Sequence, residues 1–206
     1  GTGAFTWPGT PAFTAFAGQP VTFASANNQG VLDVRYRIWA NGDSATFSIT
    51  HASEGTAHQV WVIRNWGTTT VPEGATPTTG DSTNPDPPLL DPAGWATEDT
   101  LWLTIACNDG NTAITAAPTN YTTGFQNDRW ANANGVGIAS GRRTNASASE
   151  DPGVFTMATE QWGATTLAIR PVSDLVIPPE EQTKGDTSQG WIGRGRQVVR
   201  AAAVAA

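Results

Sequence analysis

The residues able to do chemistry in this chain are few and scattered. His51, Glu54 and His58 form the one close cluster of metal-ligand types. Their spacing, His-x-x-Glu-x-x-x-His, differs from the helical zinc-protease pattern, and the segment reads as a hairpin turn entering a strand. Solvated turn residues are therefore expected there. Two histidines near that hairpin and no Gly-x-Ser-x-Gly elbow leave no Ser-His-Asp arrangement. Glu54, Glu98, Asp99, Asp109, Glu150 and Asp151 are carboxylates of the kind paired for sugar hydrolysis. Nothing in their spacing separates them from turn residues, and Glu150-Asp151-Pro152-Gly153 is a turn signal in itself. Asp81, Asn84, Asp86 and Asp91 offer oxygens to calcium without the alternation of an EF-hand loop. The expectation is a non-enzymatic protein with no catalytic residue, no cofactor and no metal.

Three further features bear on binding. Cys107 is the single cysteine, which excludes an intramolecular disulfide and a thiolate cage. It ends an apolar stretch, so a buried structural thiol is expected. Asn120-Tyr121-Thr122 and Asn145-Ala146-Ser147 carry the glycosylation pattern, which has meaning only in a glycosylating secretory pathway. Tryptophan is unusually frequent, at nine. Trp61 and Trp102 lie within apolar runs and read as core. Trp7, Trp66, Trp95, Trp130 and Trp162 fall at strand ends or turns, where they cap a sandwich or, if exposed, stack on sugar rings or anchor an interface.

The elements that must position these residues are strands. Gly, Pro, Thr and Asn abound, charged residues are only 14%, and such a composition does not build long helices. A formal charge of -7 argues against binding nucleic-acid phosphates, and no 18-residue apolar run or signal peptide stands out. Expected strands in the first part are Gly3–Thr6, Pro20–Ala24, Val31–Trp39, Ser44–Thr50 and Ala57–Asn65. Asn27-Asn28-Gln29-Gly30 and Asn41-Gly42-Asp43 supply turn chemistry between them. In the second part, Asp99–Asp109, Gly135–Ala139, Phe155–Met157 and Thr165–Arg170 are expected strands. Leu101, Leu103 and Ile105 share one side, with Trp102 and Thr104 on the other, as in a strand covered on both faces. Pro77, Pro85, Pro87 and Pro88 punctuate the connection between the parts, which is read as an extended surface crossover.

The two parts repeat each other. Residues 44–50 and 57–64 parallel residues 152–158 and 163–170, and Ala4-Phe5-Thr6 parallels Ala113-Ile114-Thr115. Phe5 and Phe47 are 42 residues apart, and Ile114 and Phe155 are 41 apart. Matched spacing between matched segments indicates duplication of one β-unit. The second copy has the strong strand Asp99–Asp109 ahead of it and the first has no counterpart, so the repeat predicts a strand missing from the first half.

Residues Asp99–Gly110, Glu150–Met157 and Glu160–Pro171 together resemble a β-sandwich family of structural proteins in tailed bacteriophages and prophages. Asn84-Pro85-Asp86-Pro87-Pro88 and Tyr121 fall where that pattern places them, and the resemblance spans roughly residues 1–172. It departs at the N-terminus, where a hydrophobic strand equivalent to Thr100–Ala106 would stand. The resemblance implies a structural role without catalytic residues.

The resulting expectation is an all-β sandwich of about ten strands, of jelly-roll or Greek-key type, in residues 1–172. Repeat one spans 1–66, a Pro-rich crossover 67–98 and repeat two 99–172, with a C-terminal arm over 173–206. The expected role is head-decoration, tail or fibre protein of a virion. Its partners would be copies of itself, other virion proteins and host-surface glycans, with neither nucleic acid nor membrane. A carbohydrate-binding module or an extracellular filament subunit is the alternative.

Overall fold

A computed structural model describes residues 5–9, 12–24, 29–44, 46–51, 55–64, 66–67, 70–131, 135–171 and, as backbone, 196–205. Thirteen strands occur among them: β1 (Thr14–Ala15), β2 (Val21–Ala24), β3 (Gln29–Trp39), β4 (Gly55–Arg64), β5 (Glu73–Gly74), β6 (Thr78–Ser82), β7 (Glu98–Asn108), β8 (Ile114–Ala116), β9 (Thr123–Trp130), β10 (Val136–Ser147), β11 (Thr156–Met157), β12 (Glu160–Ile169) and β13 (Arg196–Ala205). Every pairing between them is antiparallel. The first sheet runs β1-β3-β13-β4, with β2 also on β3; the second runs β5-β12-β7-β10-β9, with β6 also on β12. The small pair β8·β11 stands apart from both. The protein is an all-β sandwich.

Period-two alternation decides what meets between the sheets. Leu32 and Val34 of β3 and Ala57 and Ile63 of β4 pack against Leu103, Ile105 and Cys107 of β7, Ile138 of β10, and Leu167 and Ile169 of β12. Each such large aliphatic side chain adds about 1.5–3 kcal/mol on burial. The second sheet is covered on its other face too. Trp102 and Ala168 lie under Leu90, Trp95 and Tyr121, while Ala106, Ala139, Trp162 and Ala164 lie under Ile114, Phe155 and Met157. Two-sided cover explains why β7 is apolar on both faces, as its sequence predicts.

Several expectations need correction. Residues 46–49 are not strand; only Thr50 pairs, in a single bridge to Thr6, because this half has one bridge where the second half has the β8·β11 pair. The expected strand Gly3–Thr6 and Asn65 fall partly or wholly outside the described residues. Of the expected turn Asn27-Asn28-Gln29-Gly30, the last two residues already belong to β3, paired with β2, while the first two lie outside the described residues. β10 continues eight residues past Ala139, and β9 was not foreseen, its side chains being mostly exposed and polar. The crossover is not wholly irregular: the proline-free stretch β6 pairs with β12 through five residues. Prolines bar the flanking residues from the ladder, and β6 uses the gap between them.

The largest difference lies at the C-terminal end. The arm expected over 173–206 lies outside the described residues up to 195, but its far stretch does not simply leave the domain. Arg196–Ala205 runs between β3 and β4 and pairs with both along all ten of its residues. The first half thereby gains the strand that the repeat predicts for it.

Candidate functional site: a strand slot in the first sheet

The walls of the slot follow from two alternating sequences. β3 presents Leu32 and Val34 to the sandwich core and Asp33, Arg35 and Arg37 to the other face. β4 presents Ala57, Gln59 and Ile63 inward, and Val60 and Val62 outward, where both are exposed. β3 and β4 do not pair with each other. Their facing edges are joined only through β13, and each would otherwise present a row of unpaired backbone groups.

Register shows that this is the geometry of the second half. Leu32 and Ala57 both stand opposite Ala203, while Ile138 and Gly163 both stand opposite Cys107. The flanking residues are 25 positions apart in each case (32 and 57; 138 and 163). A shift of 106 therefore carries β3 onto β10 and β4 onto β12 in one register, and places β13 on β7. Since a slip of one residue would reverse every facing, this agreement is what two copies of one β-unit would give. In the second half the central strand precedes its neighbours in sequence; in the first it follows them by more than 130 residues.

Each wall also has anchors of its own. The Trp61 indole donates to Ser140 Oγ at 2.9 Å, Ser140 Oγ donates to Gln59 Oε1 at 2.6 Å, and Gln59 Nε2 donates to the Ile138 carbonyl at 3.3 Å. This buried chain ties β4 to β10 across the sandwich, and satisfied buried networks of this kind fix geometry. On β3, Asp33 is 1% exposed and accepts from the Trp7 indole at 2.6 Å and from Arg35 at 3.0 Å. The Arg37 guanidinium lies 4.3 Å from the Trp39 ring centroid, within cation–π range. The Phe16 amide donates to the Val34 carbonyl at 3.2 Å, and the Val34 amide donates to Gln19 Oε1 at the same distance.

The residues singled out from sequence do not converge. His51 and His58 have ring centroids 6.3 Å apart, each in edge contact with Phe5, while Glu54 lies outside the described residues. Glu98 is forked by Arg170 at 2.5 and 2.7 Å, and that hydrogen bonding holds its carboxyl below the usual range. Glu150 accepts from Arg143 at 2.7 Å and from Asn145 at 3.1 Å. Asp99 and Asp151 are exposed, as are Asn84, Asp86 and Asp91; Asp81 lies on β6. Among the described residues, no three His, Cys, Asp or Glu side chains gather as metal ligands would. Cys107 is buried, which raises its thiol pKa. Asn120 sits in an exposed turn at positive φ, whereas the Asn145 amide is engaged with Glu150.

One carboxylate pair does form, and sequence spacing missed it. Asp109 follows β7 and meets Glu160 at the start of β12; burial first, then the Glu160 charge, pushes the Asp109 carboxyl up to about 7. An open hollow of about 500 Å³ is lined by Asn120, Thr123, Arg142, Arg143 and Thr144. Its arginines are already engaged, Arg143 with Glu150 and Arg142 over the Trp61 ring at 6.0 Å. Of the tryptophans, Trp66, Trp95, Trp102 and Trp162 are buried, Trp7, Trp39 and Trp61 half-buried, Trp130 exposed and Trp191 outside the described residues. No helix among the described residues is long and apolar enough to cross a membrane.

Compared with known proteins, the chain matches no family model, no curated protein and no solved structure.

Proposed function

We propose that this chain is a non-enzymatic structural component of a bacteriophage virion, serving as a head-decoration, tail or fibre protein. It would assemble through its sandwich faces and by exchange of a strand or arm. The observation that carries the assembly part is β13, a central strand contributed from far along the chain to a sheet that has no other strand for that place. Strand addition to unpaired edges is a general means of locking subunits together. The phage setting rests on the resemblance of residues 99–110, 150–157 and 160–171 to tail, fibre and decoration sandwiches. Partners would be copies of the chain and other virion proteins, and the location an extracellular particle.

The carbohydrate-binding reading needs several aromatic rings on one open face. Among the described tryptophans only Trp130 is exposed, at 47%, which favours the structural reading. The filament reading shares the strand-exchange chemistry and differs in yielding polymers without capsids. The test is sedimentation of particles from producing cells, probed with an antibody to the chain, beside a glycan array of the purified protein. Co-sedimentation with nucleic-acid-filled particles is the expected result. Sugar binding abolished by Trp130→Ala, with no chain in the particle fractions, would replace it with the lectin reading.

A further inference from the structure

We infer that β13 exchanges between copies of this chain: residues 196–205 of one copy fill the slot between β3 and β4 of another. The argument is one of length. Pro171 pairs with Trp66 in an isolated bridge, and Arg196 stands opposite Arg64. Trp66 and Arg64 are two residues apart, so the points where the chain leaves β12 and enters β13 are close. Two cross-strand spacings of about 5 Å and two residues of strand place them about 18 Å apart at most. About six extended residues would bridge that gap. The chain uses 24, residues 172–195. That many reach about 80 Å when extended, beyond the roughly 40 Å width of a domain this size.

The slot suits a removable occupant. Its two walls hold to the rest of the sandwich by the Gln59–Ser140–Trp61 chain and by the bonds of Asp33 with Trp7 and of Val34 with Phe16 and Gln19, none of which involves β13. An occupant from a second copy makes the same register contacts as the chain's own strand, so cis and trans filling differ only in concentration. A tether of 24 residues, longer than the span needs, gives an effective concentration of at most about a millimolar. Dilute chains therefore close on themselves, and chains held together at millimolar local concentration exchange. A reciprocal exchange gives a closed pair, and a head-to-tail one gives a ring or filament. The inference rests on the subunit reading for its biological purpose, not for its geometry.

The test uses Val62 and Val198, opposite one another across β4 and β13, with Val62 half exposed to an oxidant. Opposed Cβ atoms in an antiparallel pair lie about 4.5–5.5 Å apart, near disulfide reach. Full-length Val62→Cys and Val198→Cys chains are refolded together under reducing conditions and then oxidised. The mixed disulfide dimer is expected to rise about fiftyfold between roughly 10 µM and 1 mM protein, as exchange overtakes self-closure. The chain carrying both substitutions provides the control and should bridge within itself when dilute. A double variant that bridges only within one chain, beside a mixture that never links, would overturn exchange. A double variant that never bridges would remove β13 from the slot and overturn it as well. Neither outcome touches the particle-sedimentation test, which reads virion membership alone.

Discussion

Asp109→Asn is the substitution whose effect the structure sets most tightly. Asp109 is 5% exposed at the end of β7, with its carboxyl beside Glu160. Burial and the neighbouring charge keep it protonated up to about 7, against an ordinary value of 3.8. A folded pKa above the unfolded one means that this group's stabilising contribution is complete below pH 3.8. It is then lost as pH rises through about 7. At about 1.4 kcal/mol per pH unit, the loss by pH 8 is about 4 kcal/mol. The amide removes the charge and keeps the shape. Asp109→Asn should match the parent at pH 4 and exceed it by about 2–4 kcal/mol at pH 8, the lower figure allowing for local relaxation. In a chain of this size that is a gain of roughly 5–15 °C in Tm. Urea unfolding at pH 4, 6 and 8 measures it, since the midpoint moves while the slope stays constant. Glu160→Gln removes the neighbouring charge that helps raise Asp109, and should flatten the same pH dependence. If Asp109→Asn tracks the parent at every pH, the buried-pair reasoning is wrong.

Two further substitutions probe the second half. A Cβ on Gly141 would fall 2.2 Å from the Tyr121 carbonyl oxygen, so Gly141→Ala must displace backbone on β10; a loss of about 1–3 kcal/mol is expected in denaturant unfolding. Glu98→Gln leaves the Arg170 fork without its charge, but both side chains are partly exposed, so the cost at pH 7 should stay below about 1 kcal/mol. The Glu98 pKa is depressed, so its contribution exists above the unfolded carboxylate value and fades as pH falls below it. Parent and variant should therefore converge in Tm as the pH falls well below 4.5.

Sequence made the second half legible and the first half only partly so. Leu101–Ala106 alternates cleanly and is covered on both faces, so its strand and its burial could be read directly. β9 could not, because Thr123–Trp130 is almost wholly exposed and polar and owes its strand form to pairing with β10. Residues 44–50 misled for the converse reason: they copy a β-like segment, yet among the described residues only Thr50 makes a backbone bridge to another strand-like segment. The repeat was legible as matched segments at matched spacing, whereas the common 25-residue separation across β7 and β13 is a property of pairing and could not be read from them. β13 itself was hidden by its alanines. Ala201-Ala202-Ala203 favours helix, and only the β-branched Val198, Val199 and Val204 hint at a strand. The Asp109–Glu160 pair was hidden for another reason, because residues 51 positions apart meet only once β7 and β12 lie side by side.

The two halves therefore share one plan but not one order of assembly. In the second half the central strand β7 precedes both β10 and β12, so the local sheet can form as the chain lengthens. In the first half β3 and β4 precede their central strand by at least 132 residues, counted from Arg64 to Arg196. Non-local pairing of this length carries a loop-closure cost before any contact rewards it, and so forms late. Until then β3 and β4 have their core packing and the anchors on their own sides, and their facing edges lack the central strand. Such edges are a hazard in a solitary protein and a resource in an assembling one. Ten paired residues on each side make β13 the best-matched occupant, and its register with Leu32 and Ala57 excludes a slip by one residue without reversing every facing. A permuted central strand thus gives the sandwich a stable closed form when alone. Under the exchange inferred above, the same contacts would serve as a joint between neighbours.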